Sequence, residues 1–167
     1  LTTKGRADSL HFSQLHHFYT PPVEHNLVVA GDWDLAYSQS PRGYLNLRQQ
    51  SGDITLPTRR KPQLGLKNFV LRTEIGARGI LSRFSGDVRY GKARGDFNIL
   101  QAFGAGEFAR APIGGALQVD IAELDTLKNL LPVGQSVKGN INGEVKFGGT
   151  LQAPQLQGTV NGDNLYY

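Results

Sequence analysis

The chain has no cysteine. Disulfide staples, thiolate metal sites and cysteine nucleophiles are therefore excluded, and stability has to come from packing and strand pairing. The absence fits an oxidising compartment. Methionine is missing as well, position 1 included, so the 167 residues are expected to be a processed chain or a piece of a longer one. No run of about 18 apolar residues occurs, so no membrane-spanning helix is expected inside the sequence, and no secretory signal pattern is present. Charge of one sign is scarce too: 18 basic against 14 acidic residues give a net charge of +4. The surplus is small and interleaved with Asp and Glu, so nucleic acid is not an expected partner. The densest basic cluster, Arg59-Arg60-Lys61 between Pro57 and Pro62, reads as a solvated loop.

Glycine is abundant. Its 21 residues exceed the usual share of roughly 7%, and they interrupt short stretches of alternating apolar and polar residues. That combination indicates many strands and turns. Val29, Gly31, Trp33, Leu35 and Tyr37 share one face of an expected strand, with Asp32 and Asp34 on the other. Leu45 and Leu47 form a second face. Leu64 and Leu66 have one parity and Phe69, Leu71 and Ile75 the other, which predicts a bulge or turn near Lys67-Asn68. From Ile80 the rhythm is regular: Ile80, Phe84, Val88 and Tyr90, then Phe97 and Ile99, then Leu117, Val119 and Ile121. The expected fold is all-β with one or two short helices, built on a meandering, mostly antiparallel sheet. Asp or Glu follows Gly repeatedly, as at Asp87, Asp96 and Glu107, and these pairs are expected at solvent-facing turns.

The most regular passage spans residues 119–164. A strand through Val119 and Ile121 changes to helical spacing over 122–131, and Pro132 stops it, since proline lacks the amide hydrogen. Strand spacing returns over 137–147, and Gly148-Gly149 breaks it. A weaker copy lies near the N-terminus. Leu10, Phe12, Leu15 and Phe18 correspond to Val119, Ile121, Leu124 and Leu127, and Val29-x-Gly31-x-Trp33-x-Leu35 corresponds to Ile141-x-Gly143-x-Val145-x-Phe147. The chain thus reads as a single β-rich segment, 1–167, with two weak repeats at about 8–38 and 117–150.

Over residues 121–164 the chain resembles the TamB family of the AsmA-like group. The features that carry the resemblance are the short leucine-rich helix ending in proline, the Gly-containing strand, and Gly149-Thr150-Leu151-Gln152-Ala153-Pro154-Gln155-Leu156-Gln157-Gly158. The resemblance implies a periplasmic body in a Gram-negative bacterium, on a parent anchored in the inner membrane. It implies a long sheet curled into an open, taco-like groove with an apolar interior, serving a translocation and assembly module with a TamA-like outer-membrane barrel as partner. Its clients would be unfolded outer-membrane protein strands or phospholipid acyl chains. No N-terminal anchor helix is present in these residues.

No motif carries reaction chemistry, so no enzyme, cofactor or metal is expected. Gly104-Ala105-Gly106-Glu107-Phe108-Ala109 fits a dinucleotide loop only as a string, because Pro112 and Gly114-Gly115 follow where a long helix is needed. His11, His16, His17 and His25 lack a carboxylate at supporting spacing. There is no nucleophile signature around any serine. The candidate site is instead a client-binding groove lined by Val29, Trp33, Leu35, Leu45, Leu47, Phe69, Leu71, Phe84, Val88, Phe97, Ile99, Leu117, Val119, Ile141, Val145, Phe147 and Val160. The alternative is a structural β-solenoid or adhesin spacer with a filled interior. A carbohydrate-binding sandwich would need clustered exposed aromatics, and one Trp with scattered Tyr is thin support.

Overall fold

A computed structural model describes residues 1–13, 24–55, 61, 63–101, 107–124 and 136–166. Eleven strands follow in chain order: β1 (Thr2–His11), β2 (Glu24–His25), β3 (Val28–Tyr37), β4 (Pro41–Ser51), β5 (Ile54–Thr55), β6 (Lys67–Gly76), β7 (Gly79–Val88), β8 (Gly91–Ile99), β9 (Ile113–Ile121), β10 (Lys138–Gly149) and β11 (Pro154–Tyr166). Nine of them form one sheet in the order β1-β3-β4-β6-β7-β8-β9-β10-β11, and every neighbouring pair is antiparallel. The sheet is open, with β1 and β11 as edges. β2 and β5 make a separate two-stranded ribbon. At about 4.8 Å between strands, eight intervals carry the sheet roughly 38 Å from edge to edge.

The all-antiparallel meander follows from the two-residue alternation and from short connections between successive strands. Ala77-Arg78 joins β6 to β7, and Arg89-Tyr90 joins β7 to β8. The parity change near Lys67-Asn68 is a real irregularity: the β6–β7 register shifts between Lys67 and Val70, and Asn68 has φ +53. The Gly149–Gly158 motif is the β10–β11 hairpin. Thr150 and Ala153 bond to each other through their backbones, the Thr150 hydroxyl accepts from the Ala153 amide at 3.1 Å, and Pro154 opens β11 opposite Gly149.

Two expectations need correction. The Gly-acid pairs are not mainly turns. Asp96 sits mid-strand in β8 and Asp87 inside β7, with Glu144 likewise inside β10. In each pair the glycine faces the apolar side of the sheet and the acid faces out, and at Gly95 the missing side chain makes room for its cross-strand neighbour Phe84. Residues 52–56 read from their sequence as a short strand ended by Pro57; the strand described there is Ile54–Thr55, paired with Glu24–His25 outside the main sheet. Of the expected helices, that at residues 15–18 and that of 122–131 from Asp125 onward lie outside the described residues. A 3-10 turn, Phe108–Arg110, lies wholly within the described residues.

The most buried side chains gather at the two ends of the strands. At the end where β4, β7 and β9 finish lie Leu27, Val29, Leu47 and Leu66. At the other end Ile99, Ala111 and Ile113 form a small core with Ile80, Phe97 and Leu151. The excursion between β8 and β9 is tied across to the β10–β11 hairpin there: the Leu151 amide donates to the Ala111 carbonyl at 3.1 Å and that of Gln152 to Ala109 at 2.8 Å.

The first of these ends is fastened by polar groups. The Asp53 carboxylate accepts from three backbone amides, those of Ile54 at 2.7 Å, Leu66 at 2.9 Å and Gly65 at 2.9 Å. Gln49 donates to the carbonyls of Gly52 and Leu66, each at 2.8 Å, and accepts from the Phe69 amide at 3.2 Å. These two side chains hold the crossover from β4 to β6.

Candidate functional site

Directly opposed residues on antiparallel strands project from the same face, so the register fixes which side chains share a side. One row crosses all nine strands as Gly5, Trp33, Leu45, Thr73, Ser82, Phe97, Gly115, Phe147 and Leu156. The next row on that face is Ala7, Gly31, Leu47, Leu71, Phe84, Gly95, Leu117, Val145 and Gly158. No charged residue stands in either row. The opposite face reads Arg6, Asp32, Asn46, Arg72, Arg83, Asp96, Ala116, Lys146 and Gln157 across the same strands.

All seventeen groove candidates fall on the apolar face. Leu35 and Ile99 belong to a third row, and Val29, Val119 and Val160 to a fourth. Phe69, Val88 and Ile141 have the same facing by alternation along β6, β7 and β10. Val29 is fully buried while Val160, on the edge strand β11, is 73% exposed, so the set is not equally shielded. Ile75, Ile80, Ile113, Ile121 and Leu156 share the face and were not among the sequence candidates. Their parity with Leu71, Phe84, Leu117 and Val119 was the available signal. The inner-facing polar groups are largely answered: the Thr73 and Ser82 hydroxyls bond each other at 3.1 Å, and the Trp33 indole donates to the Thr3 hydroxyl at 3.3 Å.

Large side chains lie flat on this face because glycine stands beside them. A Cβ on Gly5 would come within 2.4 Å of the Trp33 ring, and one on Gly95 within 2.8 Å of Phe84 and 2.2 Å of the Ala116 carbonyl oxygen. From β1 to β10 the central positions of this face are mostly half-buried, while β11 is exposed along its whole length; with the buried groups at the two strand ends the face forms a trough running across the strands. Phe97 and Phe147 meet edge-on in it, ring centres 6.2 Å apart. Gly5→Val is therefore expected to lift the indole off the floor at a cost of about 1–3 kcal/mol. Trp33 is the only tryptophan, so a red shift of the emission maximum measures it directly.

Among the described residues no group of three or more His, Asp or Glu side chains could hold a metal ion. His11 is exposed and His25 stacks edge-on against Phe12. His16, His17 and residues 104–106 lie outside the described residues. No helix among the described residues is long and apolar enough to cross a membrane.

The family model described as TamB, N-terminal domain, matches residues 4–161. The chain belongs to the TamB family. Membership ties it in general terms to the translocation and assembly module of the Gram-negative envelope, a transport and assembly system whose TamB-family component works with an outer-membrane partner. Neither the curated proteins nor the solved structures contain a match. For this TamB-family chain the trough is the candidate site, and no single residue dominates it.

Proposed function

We propose that the trough shields phospholipid acyl chains from water as they pass between the inner and outer membranes. The observation that carries this reading is the continuous, half-exposed apolar face crossing nine strands with no charge in its two central rows. Each methylene that leaves water contributes about 0.8 kcal/mol. None of that attraction is directional, so a chain can be held and still slide along the rows.

The same face suits an unfolded outer-membrane protein strand less well. A peptide brings one amide donor and one carbonyl acceptor per residue, and the floor has almost nothing free to pair with them. An unpaired buried group costs about 1–3 kcal/mol, which an acyl chain does not incur. In this reading the periplasmic chain belongs to a parent held at the inner membrane and working with a TamA-like barrel in the outer one. A spacer role would need a filled interior, and the half-buried middle of the strands argues against it.

Trp33 provides the test. Short-chain phospholipids brominated on the acyl chain, below their micelle concentration, are expected to quench its fluorescence saturably, and unbrominated ones to protect against that quenching. Protection by an unfolded outer-membrane strand peptide but not by phospholipid would assign the trough to protein clients. No quenching and no protection would leave the spacer.

A further inference from the structure

The opposite, polar face carries an arrangement that the trough does not explain. Arg72 on β6 and Arg83 on β7 are direct cross-strand partners. Their Cβ atoms are thus about 4.5–5.5 Å apart, a spacing at which like charges oppose folding. Neither guanidinium makes an ion pair or a side-chain hydrogen bond among the described residues. Arg94 on β8 stands one row away, opposite Ser85, with its Nε on Gln118 Oε1 at 3.0 Å. All three arginines line one hollow of about 850 Å³, together with Ser85 and Asp96.

Of the acids on this face, Asp96 lines the hollow with them. Asp96 faces Arg83 across the β7–β8 pair, but its carboxylate accepts from Asn98 Nδ2 at 2.8 Å and lies outside ion-pair range of any arginine. Three guanidiniums against one carboxylate leave two uncompensated positive charges in the hollow.

We propose that Arg72, Arg83 and Arg94 form a binding site for a phosphomonoester-type dianion on the polar face. A phosphomonoester carries about −1.5 to −2 at neutral pH, which matches the local surplus; a lone carboxylate would leave half of it. Two opposed guanidinium forks can converge on one anion with paired N–H donors, geometry that suits phosphate and that lysine would not supply. The bound anion also removes the repulsion between Arg72 and Arg83. The phosphate group could be free or the headgroup of a lipid, and the site stands independently of the trough.

Titration calorimetry of the chain with inorganic phosphate tests this, beside vesicles of phosphatidylcholine with and without phosphatidic acid. Saturable phosphate binding is expected, with at least a tenfold loss in Arg72→Gln and in Arg83→Gln and no change in Lys4→Gln, which lies on the same face but away from the hollow. In phosphate-free buffer the two arginine variants should melt no lower than the wild type, because the like-charge pair is gone; phosphate should then raise the melting temperature of the wild type alone. Binding to phosphatidic acid vesicles through the same arginines would identify a lipid headgroup, and binding of free phosphate alone a soluble ligand; either supports the site. The proposal is overturned if neither probe binds, or if the Arg72→Gln, Arg83→Gln double variant binds as the wild type does.

Discussion

Asp53→Ala is expected to destabilise the chain by about 2–5 kcal/mol. The carboxylate accepts from the amides of Ile54, Gly65 and Leu66, and alanine leaves all three without that partner. An unsatisfied donor costs about 1–3 kcal/mol when buried, and the group is only partly buried, so the sum falls below three full penalties. Asp53→Asn should lie between the two: its remaining oxygen can keep the Oδ1 bonds, while its amide turns a donor toward the Gly65 N–H. Gln49 acts on the same crossover through Gly52, Leu66 and Phe69. The two side chains share Leu66, so their losses should be non-additive in a double-mutant cycle. Urea denaturation reads the effect as a lower midpoint at unchanged slope. A loss below 1 kcal/mol for Asp53→Ala would mean that water replaces the carboxylate and that packing alone holds the crossover.

Why Asp53 was invisible in the sequence shows where sequence reading stops here. Its partners Gly65 and Leu66 lie 12 and 13 residues away, across a segment with no periodicity to link them. Alternation reports which side of a strand a residue faces, and it did so for Val145 and Phe97. It says nothing about which residue stands opposite. That needs the register, and only the register sets Arg72 against Arg83. The glycines illustrate the same limit. Gly95 followed by Asp96 looks like a turn because glycine and acid favour turns, but its strand neighbour Phe84 needs the empty space. The bulge at Lys67-Asn68 was legible for the converse reason, since a change of parity within one run is a purely local signal. The hairpin motif was also local: Thr150 to Ala153 closes on itself within four residues. β5 was legible as a short strand before Pro57, but its partner β2 was beyond reach, because a two-residue strand carries no alternation.

Val145→Asp should abolish trough binding while leaving a folded chain. Val145 lies in the second central row between Leu117 and Gly158, half-buried and away from the cores at the strand ends. Folding therefore loses about 1–2 kcal/mol, within the ordinary range for a point substitution. Binding should lose more. An acyl chain over this row would have to leave the carboxylate hydrated, forfeiting contact for several methylenes at about 0.8 kcal/mol each, or strip its water at greater expense. Two such methylenes already exceed the 1.4 kcal/mol of a tenfold change, so quenching of Trp33 by brominated chains should weaken by more than tenfold. Val145→Asn separates charge from shape: it is neutral and of similar size, and its loss should be smaller. Lys146→Gln, the next residue but on the opposite face, should bind acyl chains as the wild type does. Phosphate binding at Arg72 and Arg83 should be unchanged in Val145→Asp, since the two sites lie on opposite faces. In cells, the parent protein carrying Val145→Asp should fail in envelope assembly and the one carrying Lys146→Gln should not. A Val145→Asp chain that folds, binds brominated phospholipid like the wild type and supports assembly would remove the trough from the mechanism.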